Sequence, residues 1–397
     1  MKNFIVLVFI GLMTFATSAF ALPAFARQMG ISCSACHSQS GYPALNRFGR
    51  TFKANGYAMV GVEKTISDDA GKNNFMSLTD TLNMSLMANM GYSKSSSSPT
   101  SINIPNEASM FVGGRIANGV GTFTEMGYDA ETNKFTLSNM RLAFVKQISD
   151  YVIGIVPYLT DAGGPSSTTD MLNAGGVVSS LGDMFSAQMY VQAPVSGDEG
   201  VAAEGISAYI YNDLWNAAYS KWIPKNGTAK QAEFANFASI ALTPQIGGWD
   251  VDFGAELWWG TSQVQNDINP LLLDRQSTDS YALKFQARGL IGKVPVSFYG
   301  AYAKSKNNGD SVYVTSVNDK NAATVSTEVA VIPRVVMLSA GYRNADNGDA
   351  TNSSDNATLL GLRYFYRENV QFRVGYMYLL DATSDKHNLT ATLDLAL

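Results

Sequence analysis

The sequence predicts an all-β fold: an antiparallel transmembrane β-barrel of about sixteen strands, with a small N-terminal α-helical segment that plugs or abuts it. Three observations carry this prediction. Apolar residues recur at every second position through most of the chain, and long polar connections take turns with tight ones. Beyond residue 21 no run approaches the ~20 apolar residues of a membrane helix. A mean hydropathy of -0.02 fits strands whose lipid-facing residues are diluted by the polar ones between them. The expected division is a signal peptide over 1–21, the helical segment over 22–77 and the barrel over 78–397.

The chain opens on Met1-Lys2-Asn3, continues with an apolar run from Phe4 to Phe15 and reaches Ala19-Phe20-Ala21. A basic start, a short apolar stretch and small residues make a secretory signal, with cleavage after Ala21. The stretch is too short to cross ~30 Å of hydrocarbon, and no stop-transfer charges follow it. The mature chain is therefore expected to fold outside the cytoplasm.

The sequence has 2 cysteines, both within Cys33-Ser34-Ala35-Cys36-His37. In an exported chain a C-x-x-C pair by itself leaves a disulfide open. The adjacent histidine changes the chemistry: two thiols at this spacing form thioethers with the vinyl groups of one haem, and the next imidazole lies under the iron. Cys33 and Cys36 are the candidate attachment points of one covalent haem c, and His37 is the candidate proximal iron ligand. For the sixth coordination position Met59 is the candidate. Met29 is also close in sequence and His387 is the only other histidine; plain packing of the methionines and an open or water-bound iron are the alternatives.

A short helix is expected between Pro43, suited to a first turn, and Gly56, suited to a left-handed end, with Leu45, Phe48 and Phe52 on one face for the porphyrin. Arg47, Arg50 and Lys53 occupy the remainder, either as a solvated surface or with one of them paired to a haem propionate. From Leu22 to Asp80 there are too few apolar residues to wrap a haem and also bury a separate core. The rest of the chain is left to enclose the cofactor.

That remainder alternates. Leu82, Met84, Leu86, Ala88 and Met90 interleave with Asn83, Ser85, Met87 and Asn89; Val251, Phe253, Ala255, Leu257 and Trp259 with Asp252, Gly254 and Glu256; Leu283 and Phe285 with Lys284 and Gln286. The same pattern runs through Leu360 to Tyr378 and ends on Leu389, Ala391, Leu393, Leu395 and Leu397, so the C-terminus is expected to complete the sheet. Tight turns at Asn118-Gly119, Gly292-Lys293, Pro333-Arg334 and Glu368-Asn369 take turns with long polar segments at 160–182, 261–280, 304–326 and 343–357. A soluble sandwich also alternates, but short turns at one end and long loops at the other are the pattern of an outer-membrane barrel. The segment Ile206–Trp222 is read as one long strand, and Trp215, Trp222, Trp249, Trp258 and Trp259 as candidates for interfacial girdles.

With the apolar face toward lipid, Arg115, Arg141, Arg288, Arg363, Arg373, Lys284, Asp250, Asp252 and Glu256 point into the lumen. Such residues set ion selectivity in an empty pore, or pair with a plug. A formal net charge of -5 gives no reason to expect nucleic acid as a partner. Asp346, Asp349 and Asp355 are read as solvated loop charges, and no Walker loop or zinc pattern occurs.

The segments Pro23-Ala24-Phe25-Ala26-Arg27-Gln28, Cys33 to His37, Pro43-Ala44-Leu45-Asn46, Phe48-Gly49-Arg50 and Asn55-Gly56-Tyr57 resemble the fused monohaem c-type cytochrome–porins of bacterial outer membranes. The best-known members of that family oxidise ferrous iron. The resemblance implies a haem segment associated with an outer-membrane porin barrel, an extracellular electron donor such as Fe(II), a periplasmic electron-carrier protein as acceptor, and outer-membrane lipid around the barrel. Only Cys33, Cys36 and His37 are carried over from it. The functional expectation is one-electron transfer; the alternative is a porin-like channel in which the haem segment is a structural plug or redox gate. A peroxidase-like role lacks a distal His or Arg constellation near Cys33.

Overall fold

The computed structural model describes residues 23–38, 45–59, 83–96, 98–129, 134–160, 164–171, 186–192, 202–224, 233–265, 272–314, 316–384 and 386–397. The expected signal peptide and Pro43 lie outside them. Among these residues seventeen strands form one antiparallel sheet, and setting aside the two-residue strand Gln245–Ile246 leaves sixteen staves. The sheet closes because the last strand, β17 (His387–Ala396), pairs with the first, β1 (Met84–Ser95), Met87 lying opposite Ala396. Leu397 extends the seam, its N–H donating to the Leu86 carbonyl at 2.8 Å and its carbonyl accepting from the Leu86 N–H at 3.0 Å. Closure leaves no unpaired edge, which is the condition for a sheet in lipid. No described helix is long and apolar enough to cross a membrane.

The pleat sorts side chains as the alternation predicts. In β10 (Trp249–Gln265) Phe253, Leu257 and Trp259 are exposed on the outer face, while Asp252, Glu256 and Trp258 are buried on the inner one. In β11 (Leu273–Ile291) Leu283 and Phe285 are exposed, and Gln286 and Arg288 are buried. The outer row is the apolar belt that acyl chains require. One end of the barrel carries the tight turns around residues 118–119, 149–150, 212–214, 292–293 and 368–369; the other carries the long connections, 161–202 the longest.

Three expectations are corrected. Ile206–Trp222 is a hairpin of β6 (Ala203–Tyr211) and β7 (Trp215–Pro224), because the Asn212 side-chain carbonyl accepts from the N–H groups of Leu214 at 2.9 Å and Trp215 at 2.8 Å and turns the chain there. Several segments read as loops are strand: β10 runs to Gln265, β11 begins at Leu273, and strands Lys320–Ile332 and Val336–Asp346 take in residues 320–326 and 343–346. Strand pairing continues beyond the apolar belt, where polar residues no longer reveal it. Finally, Trp222 and Trp258 are buried on the inner face, Trp222 stacking on Tyr313 at 6.3 Å and Trp258 packing on Phe237 at 5.1 Å. Trp215 beside Tyr151, Trp249 on Phe298 and Trp259 near Tyr219 are the outward-facing ones.

Candidate functional site

The N-terminal residues form helix α1 (Pro23–Met29), a single tight turn at Cys33–Ala35 and helix α2 (Arg47–Ala54). They pack on the inner face of the barrel. The Ala24 N–H donates to Ser85 Oγ at 2.7 Å, Arg27 donates to the Met84 carbonyl, and Asn83 Nδ2 donates to Gln28 Oε1 at 3.0 Å. Phe25 stacks on Tyr57 at 5.3 Å, meets Phe52 edge-on at 5.3 Å and reaches Phe123 of the barrel wall at 6.4 Å. Met29 is buried in this cluster and Met59 packs against it. The small apolar cluster of the segment is thus completed by the wall, as its shortage of apolar residues requires.

The Cys-x-x-Cys-His turn is wound on one carbonyl: Cys33 O accepts from the N–H groups of Cys36 at 3.2 Å and His37 at 3.1 Å. Cys33 and Cys36 are not joined in a disulfide, and both are half-buried. Asn46 fastens the turn to α2. Its backbone N–H donates to Cys36 O at 2.9 Å and its Nδ2 to Ala35 O at 2.9 Å, while its Oδ1 accepts the Gly49 N–H at 2.9 Å as the helix N-cap. Asn46 is therefore the N-cap of the described helix. Gly56, with φ of +70°, ends it as expected. A Cβ on Gly49 would run into the Cys36 carbonyl, so only glycine lets the turn lie this close to α2. Gly49→Ala is accordingly expected to displace the turn from α2, read as faster limited proteolysis of the N-terminal segment. Unchanged cleavage would show that the turn yields freely.

Burial, reinforced by Glu368 beside it, pushes the Cys33 thiol up, and burial followed by the charge of Cys33 pushes Cys36 up to about 11. Two uncrosslinked thiols on one turn, followed directly by an imidazole, fit the donor set of a covalent haem c. Cys33 and Cys36 would hold the ring and His37 the iron. Glu368 lies in the 368–369 turn, which sets the motif at the tight-turn end of the barrel. His387 begins β17 at the opposite end, its Nδ1 2.5 Å from the Tyr376 hydroxyl. A strand of that length spans roughly 30 Å, which removes His387 from the axial candidates.

All three basic residues of α2 are engaged by protein. Arg47 pairs with Asp213 at 2.6 Å. Arg50, fully buried, donates to both oxygens of Asp250 at 2.8 and 2.9 Å, beside the Arg288–Asp252 pair. Lys53 donates to the Asp170 carbonyl. None is held in reserve for a propionate in this arrangement. Asp170 belongs to a part of the long 161–202 connection that folds into the lumen as two buried helices, α3 (Ser166–Thr169) and α4 (Ala187–Gln192). Its carboxylate meets Lys284 at 2.7 Å, and Lys284 meets Glu256 at 2.7 Å. The sequence pattern gave no sign of this inward fold, because Ser, Thr and Gln there read as an outer loop.

Burial, with Arg141 adding to it, lowers the Lys53 ammonium from 10.5 to about 7. Between those values an unfolded chain binds a proton that the folded one does not. Stability is therefore flat below about 7 and rises with pH toward 10.5. The denaturation midpoint of the protein is expected to climb over that window relative to Lys53→Met; parallel curves for the two proteins would refute the assignment.

No protein-family model and no curated protein matches the chain. Among solved structures it is similar to a loop L8 deletion mutant of OmpT, an outer membrane protein of Vibrio cholerae, at 12% identity and a TM-score of 0.51, over 79% of this chain and 98% of that one. It is likewise similar to the anion-selective porin from Comamonas acidovorans, at 12% identity and a TM-score of 0.50, over 79% and 98% of the two chains. At this identity the likeness is one of fold: the described residues from Asn83 onward form a closed antiparallel barrel like that of outer-membrane porins.

Proposed function

We propose that the protein is a bacterial outer-membrane electron-transfer protein with one haem c on Cys33 and Cys36 and His37 as proximal iron ligand. Electrons would pass between an extracellular donor, with Fe(II) the first candidate, and a periplasmic carrier protein. The observation that carries this reading is a Cys-x-x-Cys-His turn fastened through Asn46 and Gly49 to a helix that Arg50 ties to the inner wall of a barrel. A bound haem supplies a one-electron ferrous/ferric couple. The residues of the chain hold it still, keep bulk lipid away and determine who approaches. Tight turns face the periplasm in such barrels, so the proximity of Cys33 to Glu368 favours exchange with a periplasmic carrier. From the other side the inward-folded 164–171 and 186–192 narrow the lumen, which suits a small donor such as an aqueous metal ion better than a protein. Met59, beside Phe52 and Tyr57, is the proposed sixth ligand.

Haem per barrel in purified outer membranes tests the attachment. Cys36→Ala is expected to abolish retention of haem through denaturing electrophoresis, and equal retention would end the reading. Mixing the oxidised protein with Fe(II) in a stopped-flow instrument tests the donor. Reduction by other donors but not by Fe(II) would leave electron transfer and remove iron oxidation.

The porin fold and the charged inner wall favour a second reading, a channel with the helical segment as plug. Steady conductance in planar bilayers that ignores the redox state of the protein would favour it over the first.

A further inference from the structure

We propose that Asn46 is a positioning residue for the proximal His37, setting how the imidazole is presented to the haem iron. The inference rests on the haem reading above and goes beyond its three motif residues.

Asn46 holds the motif from both sides of its own peptide. The Nδ2 donates to Ala35 O at 2.9 Å and lies 3.5 Å from His37 O, and the backbone N–H donates to Cys36 O at 2.9 Å. Three consecutive carbonyls of the motif, those of Ala35, Cys36 and His37, thus face one residue. His37 is also bridged to Leu45, the neighbour of Asn46. On its other side Asn46 is committed to α2: the Oδ1 takes the Gly49 N–H at 2.9 Å and its carbonyl takes the Arg50 N–H at 3.0 Å. Arg50 then reaches Asp250 on the wall. The Asn46 side chain works beside the backbone contacts of Leu45 and Asn46, and an amide suits it because its two ends donate to the motif and accept from the helix at once, which the single oxygen of a serine cannot place in both positions.

That division of labour separates positioning from mere capping. Asn46→Asp and Asn46→Ser both retain an oxygen that can cap α2, and neither retains the Nδ2 donor. If Asn46 only starts the helix, Asn46→Ser behaves as the wild type, and Asn46→Asp moves the potential by its added charge alone with an unchanged Soret band. If it positions His37, both shift the midpoint potential and the Soret band of the full-length protein, although the barrel still migrates as folded on heat-modifiable gels. Loss of covalent haem from both folded variants would support the assignment equally. Wild-type potential and spectrum in the neutral variant Asn46→Ser would overturn it. A wild-type protein without covalent haem would instead overturn the haem reading itself, so the two failures are distinct.

Discussion

Replacing Lys284 with methionine is expected to destabilise the barrel by about 3–5 kcal/mol. Its ammonium lies 2.7 Å from Asp170 and 2.7 Å from Glu256, and the three side chains are no more than 8% exposed. Removing the cation leaves two carboxylates facing each other with little water between them. One must take up a proton, or the inward-folded segment carrying Asp170 must withdraw. Lys53 compensates only in part, since its charge acts on both carboxylates but its hydrogen bond is to the Asp170 carbonyl. The double variant Lys284→Met with Glu256→Gln is expected to recover much of the loss, because the penalty comes from stranded charge more than from a missing attraction. Denaturant midpoints of the detergent-folded proteins measure both effects. A loss below about 1 kcal/mol in the single variant would mean that the cluster is hydrated like a surface pair. A larger single-channel conductance in Lys284→Met would show in addition that this cluster pins 164–171 across the lumen.

The barrel was legible wherever its two faces differ chemically. Leu283 and Phe285 against Lys284 and Gln286 announce a strand, its orientation and its lumen side at once, and the C-terminal alternation announces the seam that Leu397 closes. Legibility failed where the inner face is itself apolar. Along β6 and β7 the inward residues include Tyr209, Tyr211, Ala218 and Trp222, all buried, so hydrophobicity no longer separates inside from outside and the turn at Asn212 hides in a continuous pattern. Trp222 and Trp258 mislead for the same reason: inside a filled barrel an aromatic packs as it would in a soluble core. At the site, the spacing singled out Cys33, Cys36 and His37 as candidates, and Asn46 and Gly49, which fasten that turn to α2, lie close behind them in sequence. The partners that dock α2 and the inward-folded segment were not legible, because Arg50 and Asp250 are 200 positions apart and Lys284 and Asp170 are 114 apart. Only closure of the barrel brings such partners together.

Arg50→Met should accordingly unfasten the N-terminal helical segment while leaving its local motif intact. Arg50 is the one basic residue of α2 with no exposed surface, and it binds Asp250 through two parallel hydrogen bonds of 2.8 and 2.9 Å, with Asp252 at 3.5 Å. Without it Asp250 and Asp252 share Arg288 alone, two carboxylates for one guanidinium, and the expected cost is again about 3–5 kcal/mol. The cost falls on docking of α2 more than on the sheet, since the ladder of β10 with β11 does not depend on this side chain. Limited proteolysis should therefore release an N-terminal fragment ending before residue 83 from a barrel that still resists heat and detergent. Arg50→Lys should rescue only part of the loss, because an ammonium cannot reproduce the two-pronged contact. Pairing Arg50→Met with Asp250→Asn removes one of the stranded charges and should restore more. If Arg50→Met and wild type are cleaved at the same rate, the anchor lies elsewhere, and the contacts of α1 with Met84 and Ser85 become the place to look.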